Sequence, residues 1–267
     1  MKISLIQMNS QDNRTENLHT AAALVEEAVT REKPQLVILP EYFAFLHDDP
    51  QAMRESGEQF PGGEIYAFLS QLADRHAITL HAGSIVEKDG SNFYNTTLVF
   101  GPDGRQITRY RKMHLFDVDT PNGTSYRESD YVARGNDLVT YGIGDAVVGC
   151  AICYDLRFPE LFRALRDRGA DVIVLPAAFT EATGRDHWEV LLRARSIETQ
   201  TYLLAVGQTS SHAQGRKLCW GHSLAIDPWG RILAQSPDSV GATSVTLDID
   251  YTKTVRANIP LANHRVL

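Results

Sequence analysis

The chain has 267 residues, 43% hydrophobic and 22% charged, which suits one large domain or two small ones with a substantial core. With 26 basic against 33 acidic side chains its net charge is −7, which argues against nucleic acid or an anionic membrane as partner, since either favours a basic surface. No run approaches the roughly 20 apolar residues of a membrane span, the N-terminal apolar stretch is too short for a signal peptide, and three scattered cysteines suit a reduced, cytoplasmic protein better than a disulfide scaffold.

Strands and helices alternate along the chain. Residues 3–8 read as a buried strand, and Leu18, Ala21, Ala22, Val25, Ala28 and Val29 recur at helical spacing, giving an amphipathic helix over 13–31 that Pro34 stops. Residues 36–39 form a short apolar strand ending at Pro40-Glu41. A second helix follows Pro61-Gly62-Gly63, with Ile65, Phe68, Leu69, Leu72, Ala73 and His76 on one face, and 78–86 reads as a strand. Runs 96–100 and 105–111 flank Gly101-Pro102-Asp103-Gly104 and predict a hairpin. The stretch 117–137 is polar and without periodicity, the character of a lid or binding loop.

An apolar run, 146–153, then ends at Cys153, and a helix begins near Pro159 and ends by Gly169. Residues 171–176 are another buried strand. Thr183-Gly184-Arg185-Asp186 resembles a capping box before a helix over 187–200. A strand at 202–206, a hairpin of 221–226 with 231–235 around Asp227-Pro228-Trp229-Gly230, a strand at 244–249 and a short tail complete the chain. Two echoes join its halves: Leu36-Val37-Ile38-Leu39-Pro40 matches Val172-Ile173-Val174-Leu175-Pro176, and the turn at 102–104 matches that at 228–230. Two similar halves, each contributing a helix-covered sheet, predict an α/β, four-layer αββα sandwich in a single domain over 1–267.

Three residues that could carry chemistry end strands and precede loops. Cys153 ends the strand that leads into Tyr154-Asp155-Leu156-Arg157-Phe158-Pro159-Glu160. A thiol near its usual pKa of about 8.5 needs a base or a nearby cation to react. Glu41 follows Pro40 at a buried strand end, where poor solvation suits a general base; read locally, it could equally be a solvated loop glutamate. Lys112 closes the strand that ends Tyr110-Arg111-Lys112. In α/β folds, sites gather where strand ends meet loops.

These segments, Leu39-Pro40-Glu41, Tyr110-Arg111-Lys112-Met113-His114-Leu115 and Cys153-Tyr154-Asp155-Leu156-Arg157-Phe158-Pro159-Glu160-Leu161, resemble in order and approximate spacing the three catalytic segments of the nitrilase superfamily, the carbon–nitrogen hydrolases. The resemblance runs from Ile3 to the tail and implies the same αββα fold. It implies a Glu41–Lys112–Cys153 triad, with Glu128 as the second glutamate that helps position substrate, and it implies no metal and no organic cofactor. The stretches 178–189 and 193–200, with Pro228-Trp229-Gly230, resemble the omega-amidase and deaminated-glutathione-amidase branch. That likeness implies Arg157 as the holder of a substrate carboxylate, with Phe179 and Thr183 lining the same pocket. Segments 119–125, a short lid, and 211–215 are individual to this chain and would set which amide is taken.

The implied chemistry is hydrolysis of the terminal amide of a small carboxylate-bearing substrate, such as deaminated glutathione or alpha-ketoglutaramate, through a Cys153 thioester. Glu41 would be the base, and Lys112 and the Tyr154 backbone N–H the oxyanion donors. The family implies a homodimer or higher homo-oligomer. A nitrilase, an N-carbamoyl amino-acid amidohydrolase and a catalytically silent scaffold are the alternatives. Cys150-Ala151-Ile152-Cys153 is formally C-x-x-C, but three residues along a strand point to opposite faces, so Cys150 reads as packing and Cys219 as a half-buried structural thiol. His114, His187 and His222 lack metal-ligand spacing. Trp188, Leu191, Leu192 and Arg195 read as a packing face or subunit interface, and Arg163, Arg166 and Arg168 as a solvated helix face.

Overall fold

The computed structural model describes residues 1–120, 123–212, 215 and 217–266. In β1 (Lys2–Gln7) alternate side chains diverge: Ile3 and Leu5 enter one apolar cluster and Ile6 another. After α1 (Arg14–Glu32), β2 (Leu36–Ile38) repeats the division, with Leu36 and Ile38 on the first side and Val37 on the second. A strand apolar on both faces has to be covered on both. The first half continues with α2 (Pro50–Glu55), α3 (Glu64–His76), β3 (Thr79–His81), β4 (Ile85–Asp89), β5 (Asn92–Phe100) and β6 (Gln106–Arg111). A ribbon of β7 (Asp117–Asp119) and β8 (Ser125–Arg127) leads to the second half.

That half runs through β9 (Thr140–Ile143), β10 (Ala146–Cys150), α4 (Pro159–Asp167), β11 (Val172–Ala177), α5 (Glu181–Thr199) and β12 (Tyr202–Gly207). A second ribbon, β13 (Thr209–His212) with β14 (Lys217–Trp220), precedes β15 (Leu224–Ile226), β16 (Ile232–Gln235) and β17 (Gly241–Thr246). Helices α6 (Asp250–Asn258) and α7 (Leu261–His264) follow. Among the described residues, one sheet has the order β17-β1-β2-β3-β5-β4 with β6 on β5, and the other β16-β15-β12-β11-β10-β9.

The two sheets correspond except for β4, an extra strand on β5 in the first. β1, β2 and β3 are parallel, as are β10, β11 and β12. Each trio is extended by an antiparallel strand and its hairpin partner, β5–β6 and β15–β16. On the other side, β17 lies antiparallel to β1 as β9 does to β10. Ile3, Leu5, Leu36 and Ile38 share a cluster with Val148, Val174 and Leu204 between the sheets, α1 and α3 cover the outer face of the first sheet, and α4 and α5 that of the second. This is the four-layer αββα sandwich expected from the sequence.

Several boundaries differ from expectation. The strand expected over 78–86 is broken at Ala82–Ser84, because Gly83 takes a φ of +54° and a Cβ there would lie 1.9 Å from the Pro40 carbonyl oxygen. The close approach seats the end of β2, and with it Glu41. Residues 183–186 are not a capping box but lie inside α5, which starts at Glu181. Position 184 needs a glycine because the Trp220 side chain crosses it, 2.4 Å from where a Cβ would be. The last strand lies earlier than 244–249, its register set by pairing of Lys2 with Thr246 and Gln7 with Gly241, and the tail holds two helices. The 117–137 stretch is partly ordered by the β7–β8 ribbon. Within the expected individual segments, Pro121, Asn122, Ala213 and Gln214 lie outside the described residues.

Candidate active site

Each half delivers its chemistry from the end of a strand. Glu41 lies just beyond β2, where its backbone carbonyl accepts from Gln208 Nε2 at 3.0 Å and the next residue, Tyr42, has a φ of +55°. Lys112 directly follows β6, and its N–H donates to the Asn95 carbonyl at 2.8 Å. Cys153 starts a 3-10 turn after β10 with a φ of +47°, a left-handed conformation that a non-glycine residue keeps only where its surroundings impose it.

The three side chains converge. Lys112 Nζ lies 2.9 Å from Glu41 Oε1 and 3.0 and 2.8 Å from the two oxygens of Glu128. Lys112 and Glu41 are each 2% exposed and Glu128 4%. Cys153 lines the same cavity as Glu41 and Lys112, and the charges of both act on its thiol. Glu128 also accepts from the Phe116 N–H at 2.7 Å and the Tyr42 hydroxyl at 3.0 Å, and Glu41 Oε2 from the Ala178 N–H at 2.7 Å. Burial alone would lower the Lys112 pKa, but Glu128 and Glu41 outweigh it and hold the group well above its ordinary value. Burial, then the Glu41 charge, push the Cys153 thiol well up, with Lys112 opposing. The site at rest is therefore a neutral thiol beside one ammonium.

A cavity of about 230 Å³ opens over these groups. Glu41, Lys112, Glu128 and Cys153 line it, Tyr42, Tyr131 and Phe116 contribute aromatic wall, and the two ribbons supply Tyr126, Arg127 and Lys217. Of the expected substrate-contacting residues, Tyr154 follows Cys153 in the same turn, its ring edge-on to Phe116 at 5.1 Å. The Arg157 guanidinium carbon lies 5.3 Å from the Phe179 ring and 5.8 Å from that of Tyr154. Arg157, Phe179 and Thr183 lie beside the cavity rather than on its wall; Thr180, whose Oγ1 is 2.9 Å from that of Thr183, is the lining residue there.

Two residues that sequence reasoning passed over hold the site together. Asn95 Nδ2 lies 2.8 Å from Glu41 Oε1 and 3.0 Å from Glu128 Oε1. Its signal is a polar residue in the buried part of β5, among Leu98, Val99 and Phe100. Asp155, fully buried, accepts on Oδ2 from the Tyr110 hydroxyl at 2.7 Å and the Ile152 N–H at 2.9 Å, and on Oδ1 from the His114 N–H and ring at 3.1 and 2.7 Å. Spacing along one strand cannot reveal such a clamp between two.

The other candidates fall outside the cluster. His114 stacks on Phe158 at 3.7 Å, His187 Nδ1 is 3.4 Å from Arg157, and His222 pairs with Asp238 at 3.0 Å. Among the described residues no group of His, Cys, Asp and Glu could hold a metal ion. Cys150 is buried in the core. Cys219, expected half-buried, is 5% exposed and lines the cavity, 3.7 Å from His212 Nδ1, with burial pushing its pKa up to about 12. Trp188, Leu192 and Arg195 form the buried face of α5. No described helix is long and apolar enough to cross a membrane.

The family model for carbon–nitrogen hydrolases matches residues 2–257. The chain belongs to the carbon–nitrogen hydrolase family. It is 41% identical over 266 residues to a deaminated glutathione amidase of Synechocystis, covering 98% of this chain and 96% of that one. It is 36% identical over 270 residues to omega-amidase NIT2-B of Xenopus laevis, with 99% and 94% covered. The crystal structure of Saccharomyces cerevisiae Nit3, a member of branch 10 of the nitrilase superfamily, superposes with a TM-score of 0.90 at 31% identity, covering 100% of this chain and 97% of that one. This carbon–nitrogen hydrolase is thus an enzyme acting on C–N bonds other than peptide bonds.

Proposed function

We propose that the protein is an amidase for the terminal amide of small carboxylate-bearing substrates, alpha-keto acid amides of the kind named by deaminated glutathione and alpha-ketoglutaramate, working through a Cys153 thioester. The names of its relatives support the substrate class. The observation that carries the mechanism is one buried constellation: Cys153, Glu41 and Lys112 line a single cavity, with Glu41 on the Lys112 ammonium at 2.9 Å.

Because the thiol is neutral at rest, its proton leaves during attack rather than before it. Glu41 takes that proton as sulfur bonds to the amide carbon. Negative charge develops on the carbonyl oxygen, where Lys112 and the Tyr154 N–H stabilise it. Protonated Glu41 then gives the proton to the departing amine as the C–N bond breaks. In the second half, Glu41 takes a proton from water, hydroxide adds to the thioester, and collapse breaks the C–S bond, releasing the carboxylic acid product as Glu41 returns the proton to sulfur. Glu128 keeps Lys112 in place. Arg157, beside the cavity, holds the substrate carboxylate, with Phe179 and Thr183 shaping its surroundings. A homodimer or higher homo-oligomer fits the exposed apolar side chains Val190 and Ile197 of α5 and nearby Trp229, and three free cysteines fit a reducing, cytoplasmic location.

A panel of alpha-keto acid amides, N-carbamoyl amino acids and nitriles, read by release of ammonia or amine, tests this reading. The keto acid amides are expected to give the highest kcat/KM, and Cys153→Ala to abolish turnover. Preference for nitriles or carbamoyl compounds, or turnover by the alanine variant, would overturn it.

A further inference from the structure

We propose that Asn95 is a positioning residue that decides which oxygen of Glu41 receives the Cys153 proton; this rests on Glu41 acting as the base. The amide nitrogen and the Lys112 ammonium reach the same two atoms. Glu41 Oε1 lies 2.8 Å from Asn95 Nδ2 and 2.9 Å from Lys112 Nζ, and Glu128 Oε1 lies 3.0 Å from each. A carboxylate oxygen offers two lone-pair directions, so both on Glu41 Oε1 are taken. Oε2 accepts from the Ala178 N–H at 2.7 Å and keeps one direction open. With Oε1 saturated and Oε2 keeping an open direction, the proton moves from Sγ to Oε2 as the S–C bond forms.

The orientation of an amide side chain is often ambiguous, but here charge decides it, since a flipped Asn95 would press its carbonyl oxygen against two carboxylates. In the orientation present, Oδ1 is buried without a hydrogen-bond partner among the described residues. An unpaired buried acceptor works against folding, so the residue's contribution lies in what its nitrogen does. The Asn95 backbone carbonyl also takes the Lys112 N–H at 2.8 Å, so one residue places both partners of Glu41.

The test uses Asn95→Leu, close in volume with no donor, Asn95→Ala, and Asn95→Ser, which retains one donor. Two rates are read: iodoacetamide alkylation of the Cys153 peptide by mass spectrometry, which needs no substrate, and amide turnover. In Leu and Ala variants that melt like the parent, alkylation rate and kcat should each fall about tenfold or more, less than the roughly 10²–10³ for loss of a directly reacting contact, with KM unchanged. The serine variant should recover part of both. A folded Leu or Ala variant alkylated and turning over at parental rates would overturn the proposal, as would loss of folding in all three, which would make Asn95 structural. Slowed alkylation without turnover on any keto acid amide would sink the substrate assignment and leave this inference standing.

Discussion

The Tyr110 hydroxyl donates to Asp155 Oδ2 at 2.7 Å, tying the strand that delivers Lys112 to the turn that delivers Cys153. Tyr110 comes from the first sheet and Asp155 from the second half of the chain, 45 residues on. Since Asp155 also takes the Ile152 N–H and the His114 N–H, one carboxylate sets the distance between ammonium and sulfur. Asp155→Ala leaves several buried donors unpaired. It should lower stability by about 3 kcal/mol or more and lower kcat more than it raises KM. Chemical denaturation and steady-state kinetics check both.

Lys112→Met keeps the bulk of the side chain and removes its charge. Two buried carboxylates would then face each other without their shared cation, and in the proposed mechanism the oxyanion would lose a donor. We expect kcat to fall by roughly 10²–10³, the range for one lost oxyanion contact, together with a lowered melting temperature. Unchanged kcat in a folded variant would remove Lys112 from the mechanism.

Gly83→Ala tests the seat of Glu41 from behind. The added Cβ would meet the Pro40 carbonyl oxygen at 1.9 Å, and the backbone is already in the left-handed region, so the end of β2 has to shift. A loss of about 1–3 kcal/mol is expected, with reduced kcat although the substitution touches no reacting group. Differential scanning calorimetry beside activity reads the two effects.

Acid sensitivity follows from two histidines held neutral by burial. Burial lowers the His81 pKa to about 3 and, with Lys217 adding, that of His212 to about 4. Both lie below the ordinary histidine value, so the unfolded chain binds the protons that the folded one refuses. Their favourable contribution is complete above the unfolded-state pKa of about 6.5 and is lost as pH falls toward those values, by about 1.4 kcal/mol per pH unit per group within that window. The His81→Phe variant, read by melting temperature against pH, should show a shallower decline between pH 6 and 4 than the parent. Parallel curves would show that His81 does not contribute.

Much of the architecture was legible in the sequence because burial writes its period into local composition. The alternation of apolar strands with amphipathic runs gave the helix-covered sheets, and the echo of 36–40 in 172–176 marks β2 and β11, which hold equivalent places in the two sheets. The true start of α5 was not legible. Gly184 reads as a helix breaker until Trp220, brought over it by the β13–β14 ribbon, explains why only a glycine fits. Nor was the break at Gly83, which exists to admit a carbonyl from a strand 43 residues earlier.

By itself, the sequence determined the residue types and their order: a carboxylate, a lysine and a thiol, each where an apolar strand gives way to a loop, in the pattern of carbon–nitrogen hydrolases. Hydrophobic periodicity and motif order are local or ordinal properties, and a sequence carries both. Only the tertiary structure decided that Glu41, Glu128 and Lys112 meet in one buried cluster, that the thiol beside them is neutral at rest, and that Asn95 and Asp155 fix their spacing. Those outcomes depend on distances between segments far apart in the chain and on how completely packing strips water from charge, which no stretch of sequence encodes alone.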